Sequence, residues 1–481
     1  MMKKVELVFV PAPGFSHLVP TIEFAKRLIH QDGRFSITIL IMKHLLEPNS
    51  ITYLPSTAAT EPCIKLIDLP QADPPSPDLS KYPETYFCTS IDNYKPHVKR
   101  VVAELVDQSL SNSSSVRIAG LVLDFFTVPM VEVGDEFGIP SYLFITASAA
   151  FLGLMLYLLA RYNDRVDAEL EDSGPEWAIP SFVNPVPIQV LPKPLFIKED
   201  GYAATMKLVK RFKDVKGIIV NTFMEMESYA LNSFLDGETP PVYPVGPMVS
   251  LASGAHLSPN GVHYKHIMTW LDDQPASSVV FLSFGSMGSL SEPQVREIAF
   301  GLLNGNFRFL WSLRVQQQKE KEKRLGPNDS RSIEDFLPKG FLERTSGHGI
   351  ICQWIPQVEV LAHKAIGGFV SHCGWNSILE SFWFGVPIVT WPLFAEQQLN
   401  AFYLVKELGL ALEMKLEYRN GDDHLVLEDE VEKAIRCVME GNSDVRRRVK
   451  EMGESSRKAV IDGGSSFTSL GLLIEDMVGN I

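Results

Sequence analysis

Short apolar runs recur along this chain, each followed by a stretch long enough for a helix. In the first half they are Val5–Val10, Ser36–Met42, Ile64–Leu69, Ile118–Asp124, Ser141–Thr146 and Gly217–Asn221. The rhythm resumes at Val279–Phe284, Phe307–Leu313, Gly349–Gln353, Gly368–Ser371 and Pro387–Trp391. Most of these runs are continuously apolar rather than alternating, the pattern of strands covered on both faces of a parallel sheet. Two α/β units are therefore predicted, with no internal repeat of 20–50 residues. The segment Thr239–Pro247 is too rich in proline for a helix or a central strand and reads as the link between the units. Gln316–Ser332, where Leu325 is the one large apolar residue, reads as a surface loop. Near the end, Phe467, Leu470, Leu472, Leu473 and Met477 recur roughly at helical spacing, with Ser465 or Ser466 as the expected N-cap.

One run imitates a membrane span. Tyr142–Ala160 holds 19 residues without a charge, near the length that crosses a bilayer. Its start is β-branched and aromatic, and Thr146-Ala147-Ser148 interrupts it, so a buried strand followed by a buried helix is expected.

Composition narrows the picture further. A chain of 481 residues exceeds one hydrophobic core and predicts two domains. A formal net charge of −14 with no compensating basic block argues against a nucleic-acid partner. Cys63, Cys88, Cys352, Cys373 and Cys437 show no C-x-x-C spacing, which suggests reduced thiols rather than a zinc site or a disulfide framework. The run Val5–Val10 is too short for a signal-peptide core, so a cytoplasmic protein is expected and the sequons at Asn112 and Asn328 should go unused.

Chemistry concentrates between Trp354 and Gln397. The apolar run Ile366–Val370 leads into Ser371-His372-Cys373-Gly374-Trp375-Asn376-Ser377, and a helical pattern follows through Ile378, Leu379, Phe382 and Trp383. A strand, a glycine-containing turn and a helix start bring unpaired backbone N–H groups and a positive dipole end to one point, which suits a phosphate. His372, Asn376 and Ser377 add side-chain donors, and Glu380 lies one turn along. Cys373 reads as a small packing residue rather than a nucleophile. Trp354, just ahead of Pro356, is placed to present a flat face for a base, although a core aromatic is the plainer alternative. Glu396 and Gln397, beyond the next strand, suit sugar hydroxyls.

The first half supplies a different pair. Val5–Val10 runs into Pro11-Ala-Pro-Gly-Phe-Ser-His17, with a helix expected from about Leu18 to Ile29. His17 thus stands at the carboxyl edge of the sheet, where ligands bind in open α/β folds. Asp124 ends the apolar run Ile118–Leu123 at the same edge. A carboxylate there needs a partner, and His17 is a credible one. A helix cap for His17, or a local salt bridge for Asp124, are the alternatives.

Trp354–Gln397 resembles the signature box of the plant family-1 glycosyltransferases, which use UDP-sugars. W-x-P-Q, H-x-A-x-G-x-F, S-H-C-G-W-N-S, E-S, G-V-P and E-Q occur in step over 44 residues. P-A-P-G-x-x-H near the start, V-x-D-F-F at Asp124 and F-G-S at Phe284–Ser286 extend the likeness to the whole chain, closest to the flavonoid and triterpenoid glucosyltransferase branch. The resemblance implies a GT-B fold, two Rossmann-like parallel-sheet domains facing across a cleft. It places an acceptor domain at 1–247, a donor domain at 248–460 and a terminal helix at 461–481 packing back on the first. It implies that Trp354 stacks on uracil, with the backbone of Ile355 at the base edge and Gln357 and Glu380 on the ribose. Ser286, His372, Asn376 and Ser377 would bind the diphosphate, while Trp375, Glu396, Gln397 and Thr146 would meet the sugar. His17 would be the general base, oriented by Asp124. Phe15, Phe87, Phe125, Phe151 and Met155 are candidate walls for the acceptor.

The expected reaction is an inverting transfer of glucose from UDP-glucose to a hydroxyl of a small apolar plant metabolite, a flavonoid, another phenolic or a triterpenoid. No D-x-D motif is found, so no metal and no resident cofactor are expected, and the protein should act as a monomer. Ile355 is bulkier than usual at its position, and Glu396 stands where many relatives have Asp. Gln397 points to glucose over galactose. The alternatives are another UDP-sugar donor, or an epimerase or hydrolase on the same fold. A Rossmann dehydrogenase would need G-x-G-x-x-G, which Pro11–His17 does not supply. A non-catalytic nucleotide-binding module would have no use for His17 and Asp124 together.

Overall fold

The computed structural model describes residues 4–46, 61–111, 117–164, 174–251, 262–314, 332–416 and 425–481. Asn112, Asn328 and nearly all of Gln316–Ser332 lie outside the described residues. The chain divides into two compact units. One comprises Met1–Ile188, Lys193–Ser250 and Ser455–Ile481; the other comprises Leu251–Glu454 with Gln189–Pro192.

In the first unit the strands are β1 (Val5–Val10), β2 (Phe35–Ile41), β3 (Ile64–Asp68), β4 (Arg117–Asp124), β5 (Ser141–Ile145), a small antiparallel hairpin of β6 (Glu176–Trp177) and β7 (Val186–Pro187), then β8 (Gly217–Val220) and β9 (Val242–Pro244). Seven of them form one parallel sheet in the order β3-β2-β1-β4-β5-β8-β9. The chain works outward from β1 on one side and then resumes at β4 on the other, so a topological switch point falls between β1 and β4. Continuous apolar sequence and two-sided cover agree here: β5 and β8 are buried at every position.

Three details differ from the sequence reading. Thr239–Pro247 contains β9, which pairs with β8 at the sheet edge; Pro244, lacking an N–H, is tolerated there because an edge strand needs fewer ladder bonds. The segment is also pinned, since the Arg27 guanidinium donates to the carbonyls of Val245 (3.0 Å) and Pro247 (2.5 Å). The first helix spans Phe15–Gln31 and keeps Pro20 inside it, so His17 lies in its first turn rather than before it. At the other end the helix Ser465–Val478 is capped by Gly464. The Ser465 hydroxyl donates instead to Glu225 (2.8 Å) and that of Ser466 to the Gly246 carbonyl (2.6 Å).

That last helix belongs to the first unit. Leu470, Leu473, Ile474 and Met477 are buried, and the helix packs on β4, β9 and the helices Phe15–Gln31 and Met224–Asn232. The Tyr142 hydroxyl donates to Asp476 (2.6 Å), and Asn480 donates to the Ala119 carbonyl (2.8 Å). Tyr142–Ala160 holds most of β5 and most of the helix Ala149–Asp164, and no helix among the described residues is long and apolar enough to cross a membrane.

The second unit has β10 (Val279–Ser283), β11 (Arg308–Ser312), β12 (Gly349–Cys352), β13 (Ile366–Ser371), β14 (Ile388–Thr390) and β15 (Ala411–Glu413), the last not expected because it is only three residues long. All run parallel in the order β12-β11-β10-β13-β14-β15. The switch point lies between β10 and β13, whose Phe281 and Phe369 rings stack at 4.9 Å.

Candidate active site

Each switch point carries a histidine. In the first unit β1 ends at Val10, and the chain turns through Gly14, whose φ of 149° favours glycine, into the helix that bears His17. Asp124 ends the neighbouring strand, β4, and the residue is only 2% exposed. Asp124 Oδ2 lies 2.9 Å from His17 Nδ1, while Oδ1 accepts the Phe126 N–H at 3.0 Å. The Asp124 N–H donates to Thr127 Oγ1 (2.8 Å), and that hydroxyl donates to the Val10 carbonyl (2.6 Å). Thr127 thereby ties the end of β4 to the end of β1 and fixes the height of the carboxylate. A carboxylate only accepts, so the pairing holds the His17 proton on Nδ1 and the lone pair on Nε2. Thr146, just beyond β5, places Oγ1 at 3.2 Å from the same Nδ1.

Aromatic rings extend from this pair. Phe126 stands edge-on to His17 with centroids 5.5 Å apart, Phe87 and Phe125 lie edge-on to Phe126 at 5.2 and 5.0 Å, and Phe151 lies 5.8 Å from Phe125. Phe15 opens the first helix and is partly exposed, whereas Met155 is 1% exposed within the helix Ala149–Asp164. Phe126 escaped the sequence reading because two adjacent phenylalanines look alike; the alternation of sides after a strand end is the signal that separates them.

In the second unit β13 delivers Ser371-His372-Cys373-Gly374 to the helix Trp375–Trp383. Cys373 adopts a left-handed φ of 61°, held by its N–H on Ser371 Oγ (3.2 Å) and by Asn400 Nδ2 on its carbonyl (3.0 Å). Burial pushes its thiol up to about 12, the state of an inert packing residue. His372 is packed between two glycines. A Cβ at Gly285, which follows β10 with φ of 81°, would lie 2.7 Å from His372 Nε2, and one at Gly374 would lie 2.5 Å away. Burial lowers the His372 imidazole to about 4, against a smaller opposing effect of the Ser283 backbone, so it is neutral at neutral pH. Ser286 is exposed on the same turn as Gly285, whose carbonyl accepts from the Arg314 guanidinium at 2.5 Å.

One turn along the helix, Gln357 Nε2 donates to Ser377 Oγ at 2.8 Å and to Glu380 Oε2 at 2.7 Å. Burial raises the Glu380 carboxyl to about 7; the Gln357 hydrogen bond opposes that rise and nearby Glu359 adds to it. Trp354 is partly exposed between β12 and the helix Gln357–Ala362, next to buried Ile355. Trp375 is 3% exposed and Asn376 partly exposed. Glu396 caps the helix Gln397–Phe402 beyond β14. Gln397 is buried, and its Oε1 accepts the N–H groups of Leu393 (2.9 Å) and Phe394 (3.1 Å), so its carbonyl shapes the loop.

Comparison with known proteins identifies the family. A family model described as "UDP-glucoronosyl and UDP-glucosyl transferase" matches residues 202–443. UDP-glycosyltransferase 71K2 of Pyrus communis is 51% identical over 484 residues, 99% of each chain. The chain is a plant family-1 UDP-glycosyltransferase. Flavonol 3-O-glucosyltransferase UGT71C4 of Arabidopsis thaliana is 46% identical across 99% of this glycosyltransferase and 98% of its own length. The crystal structure of Medicago truncatula UGT71G1 complexed with UDP-glucose matches with a TM-score of 0.87 and 46% identity over 99% of each chain. The two parallel-sheet units are accordingly those of a GT-B glycosyltransferase.

Proposed function

We propose that this enzyme transfers glucose from UDP-glucose, with inversion, to a hydroxyl of a small, largely apolar plant metabolite. The observation that carries the reading is the 2.9 Å contact between His17 Nδ1 and a carboxylate buried to 2% exposure. That pairing leaves Nε2 as the proton acceptor and stabilises the imidazolium that forms, which suits a general base. In the step proposed, the acceptor O–H gives its proton to His17 Nε2 as its oxygen bonds to the anomeric carbon. The bond from that carbon to the β-phosphate oxygen breaks, and UDP leaves with the electron pair. Attack opposite the leaving group converts an α-linked donor into a β-glucoside.

The second unit supplies the complementary part. Trp354 offers a face for uracil, Ile355 its backbone for the base edge, and Gln357 and Glu380 acceptors and donors for the ribose. Ser286, His372, Asn376, Ser377 and the helix start at Trp375 are donors suited to a diphosphate, so developing negative charge needs no divalent ion in this reading. Trp375, Glu396, Gln397 and Thr146 are assigned to the sugar. Glucose is favoured by Gln397 and by the UDP-glucose bound to the Medicago relative. The rings of Phe87, Phe125, Phe126 and Phe151 favour a flat phenolic or rigid terpenoid acceptor, and the Arabidopsis relative is named for a flavonol. The enzyme is taken to work as a cytoplasmic monomer without a resident cofactor.

The test is product analysis. Purified enzyme with UDP-glucose and either a flavonol or a triterpene alcohol should give a β-glucoside by proton NMR. An α-glucoside, or free glucose released equally without acceptor, would overturn the proposal.

A further inference from the structure

A second buried carboxylate in the first unit has no place in the scheme above. Glu227 is 0% exposed, in the helix Met224–Asn232 that follows β8, and its backbone departs from helical geometry (φ −123°, ψ 36°). Its side chain reaches to the start of another helix, where Oε2 accepts the N–H of Ala149 at 2.9 Å and Oε1 that of Ala150 at 3.0 Å. Ser148, itself buried, accepts the Phe151 N–H on its hydroxyl (3.0 Å) and the Leu152 N–H on its carbonyl (3.1 Å). Between them the Glu227 carboxylate and the Ser148 hydroxyl satisfy the N–H groups of Ala149, Ala150 and Phe151, three of those that a helix start leaves without intrahelical partners, and the Leu152 N–H opens the helical ladder on the Ser148 carbonyl.

The helix start so held lies three residues beyond Thr146, whose hydroxyl is 3.2 Å from His17 Nδ1, and Phe151 in its first turn belongs to the ring cluster around Phe125. Reach and direction of both side chains depend on where this helix begins. β5 cannot set that alone, because it ends at Ile145. A charged group in an apolar interior is costly unless fully hydrogen-bonded, so two N–H partners and the positive helix end are what make Glu227 tolerable there. Both carboxylate oxygens must be acceptors for this; an amide would turn one N–H₂ group against an N–H.

We infer that Glu227 is a positioning residue for the transfer reaction: by clamping the N–H groups of Ala149 and Ala150 it holds Thr146 against His17 and Phe151 against the acceptor. The inference rests on the reading of His17 as the base. It predicts a split between the two substrates, because the N–H groups it clamps, those of Ala149 and Ala150, lie in the first unit with His17.

The experiment compares E227Q and E227D with wild type in steady-state transfer from UDP-glucose to a flavonol, per folded molecule by circular dichroism, with UDP titrated calorimetrically. E227Q should lower kcat and raise the acceptor KM, together reducing acceptor kcat/KM about 10- to 100-fold, with the UDP dissociation constant within twofold. E227D, which keeps the charge but is one methylene short, should fall between, and decides the matter if E227Q does not fold. A lowered Tm with unchanged kcat and acceptor KM, or equal losses in donor and acceptor terms, would overturn the inference. H17A run alongside separates the two claims: if H17A retains transfer, the base assignment fails; if H17A is inactive and E227Q is unchanged, only the clamp does.

Discussion

His17 and His372 occupy comparable places, each at the switch point of a parallel sheet, and their surroundings make them opposites. His17 meets a buried carboxylate at 2.9 Å and keeps 23% of its side chain exposed. His372 lies between Gly285 and Gly374, and burial holds it near 4. The first setting offers a carboxylate partner to an imidazolium as it forms, whereas burial in the second disfavours one. In the proposed reaction His17 must accept a proton, whereas His372, assigned there to the diphosphate, can donate from a neutral N–H that needs no proton exchange. Residue type and topological position are shared; partner and packing decide the chemistry.

The sharpest way to break this contrast is to remove each ring. H17A should lower kcat about 10²–10⁴-fold while UDP affinity stays within twofold. H372A should do the reverse, weakening UDP about 10- to 100-fold, the range for a hydrogen bond to a charged group. Equal effects of the two on UDP binding would erase the distinction. D124N comes next: it leaves Nδ1 facing an amide that can present N–H₂, so kcat should fall about 10²-fold at unchanged UDP affinity in single-turnover assays.

A milder probe is G374A. Its backbone (φ −63°, ψ 138°) accepts alanine, but the new Cβ would lie 2.5 Å from His372 Nε2, so the ring must move. We expect UDP affinity to fall about 10-fold by calorimetry with the H17A phenotype absent. The smallest effect concerns Glu380. Its folded-state value of about 7 stands above the ordinary 4.5, so the folded chain keeps a proton that the unfolded chain has released between those values. Stability therefore falls as pH rises from about 4.5 to 7. E380Q should remove this loss, raising Tm by about 2–4 °C at pH 8 and hardly at pH 4.5, with UDP binding about 3- to 10-fold weaker.

What could be read from the sequence was whatever depends on local pattern. Long apolar runs announced β1, β4, β5, β10 and β13, and a carboxylate at the end of β4 pointed to a partner at the end of β1 because both strands stop at one sheet edge. Features set by distant partners were hidden. β9 is disguised by prolines that only an edge position permits, and β15 is too short to carry a period. Ser465 and Ser466 look like caps until Glu225 and Gly246 compete for their hydroxyls. Gln397 reads as a sugar ligand, yet its carbonyl is taken by Leu393 and Phe394. Glu227 looks like surface charge, because nothing near it in the chain announces the N–H groups of Ala149 and Ala150.

The return of Ser455–Ile481 to the first unit has a consequence for synthesis. A nascent chain emerges in sequence order, and domains close as their parts arrive. The second unit is complete once Glu454 has emerged, but the first still lacks the helix that places Leu470, Leu473, Ile474 and Met477 against β4 and β9. The domain begun first is finished last, and for that interval its apolar edge is the surface a chaperone would meet.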